Sequence, residues 1–471
     1  MPKLKLLSAS IALALLSGCA LFQPDTKPPQ MPLPNVLQTQ PEWIGDGWWK
    51  QFGDPTLDQL IETARSNNQN LAIASARVDQ ARAVLGINSA AQLPRVDLGA
   101  AGSRQKASEK GSSAALGTYS DYQLAGSASW EIDLWGKLAN LTEAARRDYL
   151  GAAYNRDGVE IALDAEVAQT YFNLRALDAQ LAIANDTVKS REETYSLQTK
   201  RFKGGLISEL DVRQAESELD IARAAVPDLV SGIATTEGAL GVLVGADPKT
   251  IIDALPPRGK SINQLGNPPA IPAGLPSDLL LRRPDIQSAE ARLIGTRARV
   301  EAARAAYFPT ISLTGLLGLQ SLSFGDLFTG AAKTWSYAGN LAMPLFDGGL
   351  TASQIDQARA VEKQALANYR LTVQQAFADV RGALVSNAES NKKTKAQAER
   401  VVALQRQYRL ASLRYDNGYS SYLEVLDTER NLFNARLALV DAQLGEVNSR
   451  VALYKAVGGG WRMSEATAQA K

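Results

Sequence analysis

Proline is distributed unevenly along this chain of 471 residues, and its distribution restricts the folds that the chain can adopt. No proline lies between Pro94 and Pro227, and none follows Pro344. Proline breaks a helix because it lacks an amide hydrogen and its ring clashes with the preceding turn. The two proline-free tracts therefore favour very long helices. Residues 137–203 alone would form a rod of roughly 100 Å at about 1.5 Å per residue, which is longer than a compact domain needs.

The two tracts lie in two halves of the chain that resemble each other at a spacing of about 213 residues. Three pairs of segments match at one offset within two residues: 201–212 with 414–425, 93–96 with 308–311, and 70–77 with 285–292. Similarity at a fixed spacing indicates that one structural unit occurs twice. Each half is predicted to contain a helix, two strands and two long helices, in that order.

Alternating apolar and small residues predict the strands. In the second half they run from Ile311 to Leu319 and from Trp335 to Met343, and a weaker alternation covers 96–100 and 122–130 in the first half. A period of two is typical of β-strands. The connectors between paired strands are rich in Gly, Ser and charged residues, as exposed hairpin loops are.

The helical part carries sustained heptads. Apolar residues with 3-4 spacing fill 212–243 and 423–454, and an apolar or aromatic residue recurs every seventh position from Val167 to Phe202. Such heptads predict helices packed side by side with knobs in holes. An ordinary helical core is the alternative, because an amphipathic helix of a globular domain has a similar stripe.

The N-terminus predicts export and a lipid anchor. Lys3 and Lys5 precede an apolar run, and the run ends at Leu16-Ser17-Gly18-Cys19, which resembles the bacterial lipobox. We expect cleavage to leave Cys19 as the new N-terminus, carrying a covalent N-acyl group and an S-diacylglycerol and no other cofactor. Ala20 in the next position favours the outer membrane. An ordinary signal peptide with a chance cysteine is the alternative.

The composition excludes several classes of function. The chain has no histidine, which rules out Ser-His-Asp and Cys-His catalysis and imidazole metal sites. Cys19 is the only cysteine, so neither a disulfide within the chain nor a cysteine metal cluster can form. A net charge of +1 argues against a nucleic-acid partner. A periplasmic enzyme using Asp54 and Asp58 as paired carboxylates is a weak alternative, and we expect no catalytic site.

Export to an outer membrane limits how the predicted strands can be used. Beyond the signal region no stretch of 18 apolar residues occurs, so the chain would span the membrane as a closed barrel or rest on it by a lipid. Four strands cannot close a barrel, for which about eight is the practical minimum. Several copies would therefore have to share one barrel. Two copies give eight strands and three give twelve, and strand number alone leaves both open.

Six segments together carry a resemblance to a known family: Trp48–Pro55, Trp130–Lys137, Leu275–Leu280, Arg282–Ile286, Pro344–Gly349 and Tyr454–Trp461. In this order and behind a lipobox, they resemble the TolC superfamily of outer-membrane channels, most closely its acylated OprM-like efflux branch. The resemblance implies an α+β membrane protein whose trimeric, 12-stranded β-barrel continues as a long periplasmic coiled-coil barrel of α-helices.

The resemblance also implies partners and a location. The homotrimer would be anchored in the lipid of the outer membrane and extend into the periplasm. There it would meet a periplasmic adaptor and an inner-membrane RND transporter, and it would passively conduct drugs, solvents or other toxic small molecules. We expect six regions: 1–18 signal peptide, 19–60 extended arm, 61–247 first repeat, 248–276 equatorial linker, 277–457 second repeat, and 458–471 C-terminal tail.

The resemblance implies a gate at the far end of the long helices. Glu424 and Asp427 lie three apart on one predicted helix face, so that a trimer would carry two rings of three carboxylates. The resemblance implies that the gate uses these two acidic residues together with Tyr415. Ser420 stands where the TolC member has an arginine. The alternative is that both carboxylates are solvated surface charges and that Tyr415 only packs beside the turn.

Two glycine-containing turns would reverse the chain at this tip. Glycine permits the positive φ that a tight helix reversal requires. The resemblance implies that the turns and the adjoining helix ends contact the adaptor. The residues predicted for the turns and this contact are Gly204, Gly205, Ser208, Gly418 and Ser421.

Three other interpretations are kept for comparison. A type I secretion duct shares the fold, but its members usually lack a lipobox. A copper or silver efflux duct is also similar, although the chain has no histidine and only four methionines. A tethered coiled-coil scaffold would show neither a heat-modifiable trimer nor conductance.

Overall fold

The computed structural model describes residues 23–27, 29, 47–110, 112, 114–253, 256–266 and 283–459. The predicted signal peptide and the lipid site at Cys19 lie outside these residues, as do most of the arm and tail. The boundaries of the six expected regions stay predictions.

The described elements follow the predicted order in both halves, except that the first half holds two helices before its strands instead of one. The first half holds α1 (Pro55–Asn67), α2 (Gln69–Ala90), β1 (Arg95–Lys106), β2 (Thr118–Ile132), α3 (Lys137–Lys203) and α4 (Glu209–Leu243). After the short α5 (Pro248–Asp253), the second half holds α6 (Pro284–Ala305), β3 (Thr310–Ser321), β4 (Lys333–Ala342), α7 (Leu350–Asp416) and α8 (Tyr422–Ala456). Helices α7 and α8 begin and end 213 residues after α3 and α4. The two-repeat organisation is confirmed.

Helix α4 continues through Pro227, although proline usually interrupts a helix. The side chain of Pro227 is exposed, so water can reach the carbonyl group that its ring leaves without a donor. The predicted packing ladder over 212–243 is buried or half-buried along its length. In α8 the predicted 3-4 spacing of buried residues over 423–454 is wrong at its first position. Leu423 is 56% exposed there, whereas Tyr422 and Leu426 are buried.

The four strands form one antiparallel sheet in the order β1-β2-β3-β4. Residues directly opposite each other across a sheet project to the same side. One row of such partners is Leu98, Gly126, Leu317 and Trp335, and the parallel row that starts at Val96 is also apolar or small. Leu98, Leu317 and Trp335 are 79%, 71% and 69% exposed in the single chain. One face of the sheet is therefore apolar across all four strands and uncovered.

The opposite face of the sheet has a different composition. Its central row runs Asp97, Ser127, Leu316 and Ser336, and most neighbouring positions hold polar or small residues. A sheet with one apolar and one polar face separates two unlike surroundings.

Below the sheet, the long helices stand side by side in a wall. Helix α3 packs along α4 on one side and along α8 on the other, and α8 packs along α7. The order across the wall is thus α4-α3-α8-α7. Nearer the sheet, α2 and α6 pack on α3, and α6 also packs on α7. Helix α4 and helix α7 form the two lateral edges. Among the described residues, no helix combines the length and the apolar character required to cross a bilayer.

The largest core cluster lies midway along this wall. Trp48 stacks on Tyr454 at 5.2 Å between ring centroids, and Phe52 lies 4.9 Å from Phe172. These contacts attach the segment just before α1 to α3 and to the end of α8. They fix the mid-level of the wall, from which the helices run toward the tip.

Asp54 belongs to this mid-level core. Its carboxylate accepts hydrogen bonds from the Thr56 amide, the Tyr171 hydroxyl and the Lys260 amide at 3.0, 2.6 and 3.0 Å. The residue caps α1 and is 1% exposed. Asp54 therefore joins α1, α3 and the segment after α5, which accounts for this carboxylate structurally.

Candidate functional site

The two tip turns have the same geometry. The Leu206 amide donates to the carbonyl oxygen of Arg201 at 2.9 Å, and the Tyr419 amide donates to that of Arg414 at 2.8 Å. Gly205 has φ +73° and Gly418 has φ +77°. This pattern is the Schellman motif. A residue in the left-handed backbone conformation ends the helix, and the last carbonyl groups of the helix keep hydrogen-bond partners.

A serine starts the helix after each turn. The Ser208 amide and hydroxyl donate to the Asp211 carboxylate at 3.2 and 3.0 Å, which stabilises the first turn of α4. At the equivalent position, the carbonyl oxygen of Ser421 accepts from the Glu424 amide at 3.2 Å. Two tight helix reversals therefore form where they were predicted. They contain the predicted turn residues Gly204, Gly205, Ser208, Gly418 and Ser421. Their adaptor contact stays a prediction.

Tyr415 lies between the two helical hairpins. Its ring centroid is 5.3 Å from that of Tyr422, and the guanidinium carbon of Arg201 lies 5.6 Å above its ring. The Gln198 side chain donates to the Tyr415 hydroxyl at 3.2 Å. Because Gln198 and Arg201 belong to α3 and Tyr422 to α8, Tyr415 joins three helices at the tip.

The two acidic candidates both lie on the exposed side of α8. Glu424 Oε1 is 3.5 Å from Arg414 Nε, and its side chain is 43% exposed. Asp427 accepts a hydrogen bond from Asn431 at 3.1 Å and is 59% exposed. The structure brings Glu424 near Arg414 but leaves Asp427 paired only within its own helix. In one chain both carboxylates are open to solvent, and their role as gate rings stays a prediction.

A buried arginine cluster lies just above the tip, and the sequence patterns did not reveal it. Arg191 on α3 is 2% exposed, and its guanidinium lies 3.1 Å from Glu218 on α4 and 3.4 Å from Glu429 on α8. It also donates to the carbonyl oxygen of Glu218 and lies 5.5 Å above the ring of Phe433. Arg191 therefore ties both hairpins together. No motif marks it, because its partners lie far apart in sequence.

Burial raises the pKa of Glu429 above its ordinary value, and the charge of Arg191 opposes that rise. Glu429 also lines a cavity of about 280 Å³ between α3, α7 and α8, together with Asp186, Tyr408 and Arg436. Among the residues that the structure describes, no group of His, Cys, Asp or Glu side chains could hold a metal ion. The arrangement holds helices together and presents charge near the tip.

Comparison with known proteins assigns this architecture to a family. The family model described as outer membrane efflux protein matches residues 60–246 and 275–459. The chain belongs to the outer membrane efflux protein family. The two matched segments contain the two structural repeats, so the predicted family is confirmed.

Curated relatives of this outer membrane efflux protein cover almost its whole length. It is similar to the probable efflux pump outer membrane protein TtgC of Pseudomonas putida strain KT2440, with 37% identity over 97% of this chain and 96% of that protein. It is 33% identical to the cation efflux system protein CusC of Escherichia coli O6:H1, over 97% of this chain and 99% of that protein.

Two similar solved structures are outer membrane channels. The Campylobacter jejuni CmeC outer membrane channel superposes with a TM-score of 0.86 and 28% identity, over 94% of this chain and 96% of that chain. The open state of the Neisseria gonorrhoeae MtrE outer membrane channel gives 0.82 and 32%, over 93% and 97%. The predicted TolC-type fold class is confirmed by these likenesses.

Proposed function

We propose that this protein is the outer-membrane exit duct of a tripartite, RND-type efflux pump, conducting small toxic molecules passively. The observation that carries the proposal is the apolar face of the four-stranded sheet. It includes Leu98, Leu317 and Trp335, all more than two-thirds exposed in one chain. Lipid on that face and water on the other would satisfy both sides of the sheet.

The free edges of the sheet support assembly into a shared barrel. In the described part of the chain, β1 pairs only with β2, and β4 pairs only with β3. An unpaired strand edge inside a bilayer is costly, because its backbone groups find no partner there. Three copies would provide twelve strands, pairing β4 of each copy with β1 of the next. We therefore propose a homotrimer that encloses one channel.

The partners and the anchor follow from the same proposal. Cys19 would carry an N-acyl group and a diacylglycerol, placing the protein in the acylated OprM-like branch. The two tip turns would meet a periplasmic adaptor, and the adaptor would connect them to an inner-membrane transporter. Tyr415, Glu424 and Asp427 would form the periplasmic gate. No catalytic step is assigned to the duct.

Cargo is proposed from the relatives as toxic organic compounds. The similar proteins of Pseudomonas putida are named for toluene and antibiotic efflux, whereas CusC is named for cation efflux. A strain lacking this protein should become sensitive to toluene and antibiotics, with copper sensitivity unchanged. Sensitivity to copper alone would assign the duct to cation efflux instead.

A pair of matched variants tests the membrane role of the sheet. Leu317→Lys places a charge on the apolar face, where a cation near the bilayer midplane costs about 2–4 kcal/mol. Ser336→Lys places the same charge on the polar face. The first variant should lose conductance in planar bilayers and recovery in the outer-membrane fraction, while the second keeps both. Equal behaviour of the two variants would contradict the proposed lipid face.

A further inference from the structure

The two lateral edges of the helical wall carry opposite charge. Helix α4 has seven acidic and two basic residues. The stretch of α7 at the same distance from the tip, residues 382–416, has three acidic and seven basic residues. Helix α8, which lies inside the wall, has a more even balance of charge, with five acidic and four basic residues. An acidic edge and a basic edge on one chain suit head-to-tail contact between copies.

The repeat supplies a template for that contact. Across the wall the order is α4-α3-α8-α7, and α7 and α4 are the repeat equivalents of α3 and α8. A neighbouring copy placed beside α7 would present its α4 there. The α7–α4 contact between copies would then repeat the α3–α8 contact within one chain.

One hydrogen bond in the template identifies a residue pair. Gln180 on α3 donates to the Asp441 carboxylate on α8 at 2.7 Å. In the other repeat, Gln180 corresponds to Lys393, which lies 213 positions later. Asp441 corresponds to Asp228, which lies 213 positions earlier. Lys393 and Asp228 are both exposed, and neither has an ion-pair or hydrogen-bond partner within the described part of one chain.

The apolar residues beside the Gln180–Asp441 hydrogen bond correspond to smaller or more polar residues in the other repeat. Ile183, Val440 and Leu444 pack together between α3 and α8. Their equivalents are Ala396, Pro227 and Ser231, which are smaller or more polar. The contact between copies would therefore bury less apolar surface than the contact within the chain and depend more on charge.

We propose that Lys393 on α7 of each copy pairs with Asp228 on α4 of the next copy, and that this ion pair sets the register of the joint between copies. The proposal rests on the homotrimeric duct proposed above. Its consequence is that the joint between copies weakens as salt concentration rises, because solvent-accessible charge pairs are screened.

Introduced cysteines test the pair directly. The double variant Asp228→Cys/Lys393→Cys, treated with a short bismaleimide, should give covalent dimers and trimers on a denaturing gel. Each single variant should give neither, because equivalent positions lie far apart in a ring. The single variants also control for any Cys19 thiol that has not been acylated. The variant Gln180→Cys/Asp441→Cys should cross-link within one chain, adding the mass of one bismaleimide but no second chain, which reports that the helices are correctly packed.

Charge reversal gives an independent measurement. Asp228→Lys and Lys393→Asp should each reduce the fraction of trimer that survives heating in detergent, and the combined variant should restore it. Absence of covalent dimers and trimers, or no restoration, in a protein that still forms conducting trimers would overturn the Lys393–Asp228 joint and leave the duct intact. Absence of any oligomer in the parent protein would overturn both.

Discussion

Replacing Arg191 with methionine should loosen the tip without unfolding the wall. Arg191→Met keeps most of the side-chain volume but removes the positive charge that contacts both Glu218 and Glu429. The two carboxylates are 11% and 12% exposed, so water cannot replace the guanidinium fully. Breaking a buried ion pair by removing one partner costs about 3–5 kcal/mol. We expect that cost to appear as local separation of α8 from α3 and α4.

Amide hydrogen exchange measures this opening locally. At about 1.4 kcal/mol for each factor of ten, the penalty of about 3–5 kcal/mol corresponds to exchange that is roughly 10² to 4 × 10³ times faster near Glu429. The mid-level core around Trp48 and Tyr454 should be unaffected. A matched control is Arg213→Met, because Arg213 also contacts two glutamates but is 63% exposed. Exposed pairs contribute about 0–1 kcal/mol, so its exchange should change by less than about tenfold.

The effect should also depend on pH in a defined direction. The pKa of Glu429 is raised by burial, so its folded state binds a proton more tightly than the unfolded state does. Stability from this group is therefore complete below the unfolded pKa and is lost as pH rises through the folded pKa. Without Arg191 the pKa of Glu429 rises further, and the penalty should shrink as pH falls, because the buried carboxylate then takes up a proton and loses its charge. Equal exchange in Arg191→Met and Arg213→Met, or a penalty that grows at low pH, would refute the reasoning.

Three further outcomes are expected. Tyr415→Ala or Asp427→Ala should increase single-channel conductance. Tyr415→Phe keeps the ring and loses only the two hydrogen bonds to Gln198, each worth about 1 kcal/mol, so it should change conductance less. Unchanged conductance in both alanine variants would remove these residues from the gate. Gly259→Ala should lower the melting temperature, since its new Cβ would lie 2.2 Å from Asp54, while Gly86→Ala, with open space around it, should gain about 0.5–1 kcal/mol. Cys19→Ser should abolish incorporation of labelled palmitate.

The long helices could be predicted because their signals are local and repeated. The absence of proline, the heptads and the repeat agree on the same segments, and α3 spans the predicted 137–203. The strands were predictable for a related reason, since alternation is visible within a few residues. Pro227 shows the limit of the proline argument, because one exposed proline is tolerated within α4 when packing on α3 fixes the helix.

The contacts that join the helices could not be predicted from the sequence. Asp54, Tyr171 and Lys260 come together only through folding, and Asp54 by sequence alone suggests a catalytic carboxylate as readily as a cap. Arg191 has no local signal, because its two acidic partners lie 27 and 238 residues away. Glu424 and Asp427 could be placed on one face of α8, but what faces them depends on copies of the chain that the sequence does not position.

Native mass spectrometry of the protein, extracted from outer membranes in mild detergent, tests the account most directly. One chain leaves two strand edges, an apolar sheet face and two oppositely charged helix edges without partners in its described part. If these surfaces are completed by identical copies, the dominant species should have three times the mass of the mature chain. A dominant single-chain species, stable at low salt, would contradict the central claim.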